Sequence, residues 1–291
     1  MVLPLSWRQP GGWLQPLLIL SAMAWLYAWR LRDKCRRIKA LEGKVVVLTG
    51  ASSGLGEALA HRLYAAGCRL IIMARSVDQL DRVRQDVMLA HQRELVYPPV
   101  VLPLDLSDSD GVKAAVGKAL RVFGRVDVLI NNAGVSYRGE ALHTELEVDA
   151  RLMQVNYLGQ LAAIKTVLPS MVEQRSGQIV CVSSVQGRLA LPYRSAYAAS
   201  KHALQAFCDC LRAEVADHNV HVTVVSPGYI RTSLSLNALT GSGAAHGKLD
   251  ATTALLAPLR DRLAVLLRAL LPSVFFLLMR LRARAGTGRP S

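Results

Sequence analysis

Between residues 43 and 235 the chain alternates between two hydrophobic rhythms. Short, predominantly apolar runs fall at 44–48, 69–75, 100–104, 126–130, 178–182 and 220–225, each closed by a turn. Such runs read as strands buried on both faces. Between them lie longer stretches in which apolar residues recur every three or four positions, at 57–66, 77–94, 109–123, 146–174 and from Tyr197 onward. These read as helices covering a sheet. The alternation predicts an α/β fold with a doubly wound parallel sheet. Ligands of such sheets sit beyond the C-terminal strand ends. Gly50, Arg75, Asp105, Asn132 and Ser184 all fall at such ends.

Outside this domain the pattern changes. Residues 13–29 carry no charge, with Trp13, Trp25, Tyr27 and Trp29 toward the ends of the stretch. That predicts a short uncleaved single-pass membrane anchor with interfacial aromatics. A cleaved signal peptide fits less well, because only Arg8 precedes the run and Arg30-Leu31-Arg32 follows it. Of the net charge of +14, +5 comes from residues 30–40 and +6 from residues 251–291. The central domain is therefore close to neutral, which argues against nucleic-acid binding and for contact with anionic lipid. The positive-inside rule places the domain after the anchor in the cytosol. Three segments result: 1–40, anchor and basic juxtamembrane stretch; 41–250, folded domain; 251–291, a basic, Leu-rich tail expected to lie in a membrane surface. Pro272 argues against a straight spanning helix there. The C-terminal Arg289-Pro290-Ser291 matches neither a peroxisomal nor an endoplasmic-reticulum retrieval signal. The endoplasmic reticulum is the preferred membrane, ahead of the peroxisome. The five cysteines have no zinc-ligand spacing, so reduced buried thiols and no metal are expected.

The candidate chemistry begins at Tyr197-Ala198-Ala199-Ser200-Lys201. A tyrosine and a lysine four residues apart share one helix face. An ammonium beside a phenol lowers its pKa, so that the phenol can exchange protons with a carbonyl or alcohol oxygen. Ser184, thirteen residues upstream at the end of an apolar run, could bond the same oxygen. Thr49-Gly50-Ala51-Ser52-Ser53-Gly54-Leu55-Gly56 lies between a strand and a helix, where backbone N–H groups and a helix N-terminus would meet a phosphate. After the second strand stand Arg75 and Ser76, with no acid before Asp78. An arginine there suits the 2′-phosphate of NADP rather than the 2′-hydroxyl of NAD, so NADP(H) is preferred over NAD(H). Asn156, inside a long helical run, needs polar partners if buried.

Thr-Gly-x-x-x-Gly-x-Gly, Asn131-Asn132-Ala133-Gly134, Ser184, Tyr197-x-x-x-Lys201 and Pro227-Gly228, in this order, resemble the short-chain dehydrogenase/reductases over residues 43–235. The resemblance implies a Rossmann-type domain and an enzyme acting on CH–OH and C=O groups. It implies Tyr197 as general acid/base, Lys201 lowering its pKa and bonding the nicotinamide ribose, Ser184 holding the substrate carbonyl, and Asn156 anchoring a water in a proton relay. It further implies Ser52, Ser53, Gly54, Leu55 and Gly56 around the pyrophosphate, Arg75 on the 2′-phosphate, Asp105 at the adenine, Asn132 at the adenosine side, and Ile230 and Thr232 at the carboxamide. With a membrane anchor, the expected substrate is a lipophilic ketone or alcohol, acyl- or alkyl-dihydroxyacetone phosphate being a candidate. Monomer and homo-oligomer are both left open. One departure stands out: after 220–225 the loop 237–250 runs into 255–281 with no further Val/Ile strand run, so the family's last helix–strand unit is expected to be missing. That departure favours, as the alternative, a cofactor-binding scaffold with impaired catalysis.

Overall fold

A computed structural model of the 291-residue chain describes residues 20, 21, 23, 25, 40–91, 97–230, 232–248 and 278. The strands are β1 Val45–Thr49, β2 Arg69–Ala74, β3 Val100–Pro103, β4 Val128–Asn131, β5 Gly177–Val182 and β6 Val220–Val225. The helices are α1 Gly54–Ala65, α2 Val77–Ala90, α3 Ser109–Val122, α4 Leu146–Met153, α5 Gly159–Glu173 and α6 Ser195–Glu214. All strand pairs are parallel, in the order β3-β2-β1-β4-β5-β6.

The order reverses between β1 and β4, so connections leave these neighbours in opposite directions and open a crevice at their C-terminal ends. Val45, Val47, Ile71, Met73 and Leu129 share a core with residues of α3, α5 and α6. The alternate residues Val46, Leu48, Leu70 and Ile72 are fully buried as well. Since successive strand side chains point to opposite faces, the sheet is covered on both sides at β1 and β2, whereas the edge strand β6 alternates buried and exposed residues. This explains the continuous apolar stretches Val45–Leu48 and Leu70–Ala74 in the sequence.

Two helices differ from the sequence reading. The second helix ends at Ala90, not near residue 94, and residues 92–96 lie outside the described set. The single helical run expected over 146–174 is interrupted by a π-helical turn, Gln154–Leu158, that holds Asn156. The loop after β6 is folded against the strand-end edge as far as it is described. Leu239 N–H donates to the Ser136 carbonyl at 2.9 Å, and Arg138 N–H donates to the Leu239 carbonyl at 2.8 Å. Ala238 and Leu239 are buried by this docking. Cys68, Cys181 and Cys208 are buried, whereas Cys210 is exposed, contrary to the expectation of uniformly buried thiols. Cys35 lies outside the described residues.

Among the described residues the sheet has six strands, with β6 at one edge. The expected anchor over 13–29, most of the basic stretch 30–40 and the tail 251–291 lie outside the described residues, apart from Leu20, Ser21, Met23, Trp25 and Leu278, which are helical. Among the described residues no helix is long and apolar enough to cross a membrane.

Candidate active site

Every residue predicted for the site except Asn156 lines one cleft of about 860 Å³ at the C-terminal ends of the strands. The sheet order brings them together: the segments that carry them are distant in sequence but follow neighbouring strands.

At one end lies the glycine-rich turn between β1 and α1. Gly50 has φ +67°, a left-handed conformation that glycine adopts without penalty. A Cβ on Gly56 would overlap the Gly50 carbonyl oxygen and come within 2.7 Å of the Asn132 amide nitrogen. Only glycine leaves this turn tight enough to bring the backbone of 50–56 to the cleft wall. Ser53 occupies the N-cap of α1 without a side-chain cap bond. The first-turn N–H groups of this helix are the donors that an anion would satisfy. Asn132 fastens the turn to β4: its side-chain amide donates to the Thr49 carbonyl at 3.0 Å and the Gly50 carbonyl at 3.1 Å. The Thr49 hydroxyl in turn accepts from the Asn132 and Ala133 N–H groups.

Arg75 and Ser76 follow β2 on the same wall, with Asp105 beside them after β3. Burial raises the Asp105 pKa, but the Ser107 hydrogen bonds and the charges of Arg75 and Arg151 outweigh it, leaving the carboxyl below its usual range. Asp105 is thus ionised at neutral pH, and its Oδ1 accepts from Ser107 N–H at 2.9 Å. These residues fit a nicotinamide dinucleotide: a tight glycine turn at a helix N-terminus for the pyrophosphate, an arginine and a serine at the end of β2 where the ribose would lie, and a carboxylate for an adenine amine.

At the other end stand Ser184, Tyr197 and Lys201. Ser184 follows β5; its hydroxyl accepts from Gln186 N–H at 3.1 Å, and it is near enough to the Tyr197 phenol to pull the phenol's pKa down. Ser183, its neighbour, instead donates to the Lys201 carbonyl at 3.5 Å. The thirteen-residue spacing thus selects the serine that meets the phenol. Lys201 is buried, and its ammonium donates to the Val182 carbonyl at 3.0 Å while lying 5.9 Å from the Tyr197 ring centre.

The protonation states differ from the sequence reading. Burial pushes the Tyr197 phenol above its ordinary pKa, against the downward pull of the Ser184 hydrogen bond and the Arg138 charge. Burial also pulls Lys201 down, to about 8. The sequence places a cation one turn from the phenol but not the desolvation of both groups, and desolvation outweighs the pull expected from Lys201.

Asn156 is fully buried behind the cleft rather than on its wall. Its side-chain oxygen accepts from Val135 N–H at 2.9 Å, and its amide donates to the Val135 carbonyl at 2.9 Å and the Ser200 hydroxyl at 3.0 Å. Ser200 donates onward to the Tyr197 carbonyl at 2.8 Å. Asn156 and Ser200 therefore tie the strand-end segment after β4 to the helix that carries Tyr197. Ser200 escaped the sequence reading although it lies inside the Tyr197–Lys201 stretch; a small polar residue on the buried face of a helix was its signal. Ile230 and Thr232 line the cleft, and Thr232 side-chain carbons lie against the position a Cβ would take on Gly54. Arg138, Arg194, Ser233, Leu234 and Leu239 also line it, and none of these was foreseen.

The short-chain dehydrogenase family model matches residues 44–241. A "Dehydrogenase/reductase SDR family protein 7-like" of Anopheles gambiae is 51% identical over 271 residues, covering 85% of this chain and 86% of the relative. "Dehydrogenase/reductase SDR family member 7B" of Bos taurus is 43% identical over 291 residues, covering 92% and 90%. Among solved structures, a metagenomic short-chain oxidoreductase in complex with NADP is 34% identical with a TM-score of 0.60, covering 65% of this chain and 84% of that one. A short-chain dehydrogenase/reductase of Burkholderia phymatum in complex with NAD is 26% identical with a TM-score of 0.63, covering 77% and 78%. By its fold, its site residues and these matches, the chain belongs to the short-chain dehydrogenase/reductase family of oxidoreductases.

Proposed function

We propose that the chain is an NADP(H)-dependent oxidoreductase that interconverts a ketone and a secondary alcohol on a lipophilic substrate. The observation that carries this reading is that Ser184, Tyr197 and Lys201 line one end of a cleft whose other end is the glycine turn. The chemistry the cofactor supplies when bound is hydride donation or acceptance. Tyr197 gives a proton to the carbonyl oxygen in reduction and takes it back in oxidation. Ser184 holds that oxygen, since it lines the cleft together with Tyr197. Lys201, buried on the Val182 carbonyl, sets the electrostatics behind Tyr197, and Asn156 with Ser200 holds the helix in register.

Arg75 followed by Ser76 supports NADP(H) over NAD(H), because neither residue is an acceptor for a ribose 2′-hydroxyl in the way a carboxylate would be. Leu189, Leu191, Pro192, Leu234 and Leu239 line the cleft and support an apolar substrate. The uncharged stretch 13–29 and the flanking basic residues support a membrane location, the endoplasmic reticulum ahead of the peroxisome, with acyl- or alkyl-dihydroxyacetone phosphate a candidate substrate. The test is cofactor choice in the full chain. Wild type should bind NADPH at least tenfold more tightly than NADH, and Arg75→Asp should reverse that order. Equal affinities, or an unchanged order in the variant, would remove the NADP(H) assignment.

A further inference from the structure

Arg82 stands on α2 and, like Glu57, lies outside the lining of the cleft, whereas Ser52, Ser53 and Gly56 line it. Every nitrogen of its guanidinium group is engaged. Nη1 donates to Glu57 Oε1 at 2.8 Å and to Asp86 Oδ2 at 2.9 Å. Nη2 donates to Glu57 Oε2 at 3.1 Å and to the Ser52 carbonyl at 3.3 Å, and Nε donates to Gln79 Oε1 at 3.1 Å. The pair with Glu57 is therefore two-pronged, the geometry in which a planar guanidinium fork matches a carboxylate best. Gln79 and Asp86 belong to α2 itself and hold the side chain from their own helix. Ser52 and Glu57 belong to the glycine-rich turn and the start of α1, 30 and 25 residues away in sequence.

Both contacts with the turn bear on anion binding. Glu57 lies in the first turn of α1. A carboxylate there suits the helix dipole, but it has the same sign as a pyrophosphate at that helix N-terminus and repels it. Arg82 holds the Glu57 carboxyl below its usual pKa, so Glu57 is ionised at neutral pH, and the same guanidinium offsets its charge. The Ser52 bond acts through geometry. In a trans peptide the C=O and N–H point in opposite directions, and the described residues contain no cis peptide. A Ser52 carbonyl held by α2 therefore turns the Ser53 N–H away from α2. Ser53 is the N-cap of α1, and its side chain makes no cap bond that would compete for the first-turn N–H groups.

We propose that Arg82 is a positioning residue for the dinucleotide: without touching it, Arg82 offsets the Glu57 charge and orients the Ser52–Ser53 peptide, so that the turn accepts a pyrophosphate. This rests on the dinucleotide reading of the glycine-rich turn and deepens it by assigning part of the affinity to a residue behind the cleft wall. Both partners of the ion pair reach solvent, so the electrostatic part of the effect is screened by salt.

The test is calorimetric binding of NADPH to the full chain, for wild type, Arg82→Gln, Arg82→Lys, Glu57→Gln and the double variant Glu57→Gln/Arg82→Gln. Arg82→Gln should weaken NADPH binding about tenfold, and the loss should shrink to about threefold when salt is raised from about 0.05 M to about 0.5 M. Arg82→Lys keeps the charge and should stay within about threefold of wild type. The double variant should also return to within about threefold of wild type, because no Glu57 charge is left to offset. Adenosine 2′-monophosphate lacks the pyrophosphate and should bind wild type and Arg82→Gln alike, which separates this role from a general loosening of the fold. Unchanged NADPH affinity in Arg82→Gln would overturn the proposal. So would a loss independent of salt, no recovery in the double variant, or equal weakening of adenosine 2′-monophosphate. If wild type binds NADH and not NADPH, the same pattern with NADH and adenosine upholds Arg82 while the NADP(H) preference falls. If wild type binds neither dinucleotide, the oxidoreductase reading fails and the role of Arg82 is overturned with it.

Discussion

Lys201 carries an energetic consequence that separates its charge from its catalytic role. Burial lowers its pKa from 10.5 to about 8. The folded state therefore holds the proton less tightly than the unfolded state does. For such a depressed pKa, stability is present in full above pH 10.5 and is lost as pH falls toward 8. At about 1.4 kcal/mol per unit, the buried ammonium costs roughly 3 kcal/mol at pH 7 and about 1 kcal/mol at pH 10. Lys201→Met removes the charge at similar length. It also orphans the Val182 carbonyl, at a cost of about 1–3 kcal/mol. At pH 7 the two effects nearly cancel, leaving the variant about 0–2 kcal/mol more stable than wild type even though turnover is lost. Between pH 7 and pH 10 the wild type should gain about 2.5 kcal/mol relative to the variant, because only the wild type sheds this proton. The assay is urea unfolding of both proteins at a series of pH values, taking the difference at each pH so that shared titrations cancel. A difference independent of pH, or one that grows in the variant's favour as pH rises, would refute the assignment of a desolvated Lys201.

Further consequences follow from the surrounding bonds. Asn156→Ala leaves the Val135 N–H and carbonyl and the Ser200 hydroxyl without their partner, so thermal unfolding should show a loss of about 3 kcal/mol. A loss below about 0.5 kcal/mol would mean those groups find other partners. Gly56→Ala forces the glycine turn away from Asn132; NADPH affinity measured by titration should fall at least tenfold, and unchanged affinity would place the pyrophosphate elsewhere. Ser200→Ala breaks the link from Asn156 to the Tyr197 carbonyl. It should lower kcat about tenfold with NADPH affinity kept, whereas a change in affinity alone would deny it a positioning role.

The strands were legible because each is a short, largely apolar run, β1, β2 and β4 being buried on both faces, and their order placed Gly50, Arg75, Asp105, Asn132 and Ser184 at one edge. The break in the run over 146–174 was not. A π-helical turn changes one hydrogen-bond register without disturbing the apolar spacing, and Asn156 alone marked it. Leu239 docks on Ser136 and Arg138 through backbone bonds, which have no side-chain pattern to read. Arg138 and Arg194 escaped for a related reason: each is an ordinary arginine in a loop until the fold brings both to the wall that holds Tyr197. The shift of the Tyr197 pKa turned on burial, a property of the whole packed domain rather than of the four-residue spacing that identified the pair.

The claim on which the rest depends is that Tyr197 transfers the proton in a carbonyl reduction. The most direct measurement follows NADPH consumption by the full chain across a panel of lipophilic ketones, for wild type and Tyr197→Phe, with NADPH affinity determined for both. The account predicts turnover by wild type, a fall of at least about 100-fold in kcat for the variant, and NADPH affinity within twofold. Turnover retained by Tyr197→Phe, or NADPH bound with no ketone reduced by wild type, would contradict it.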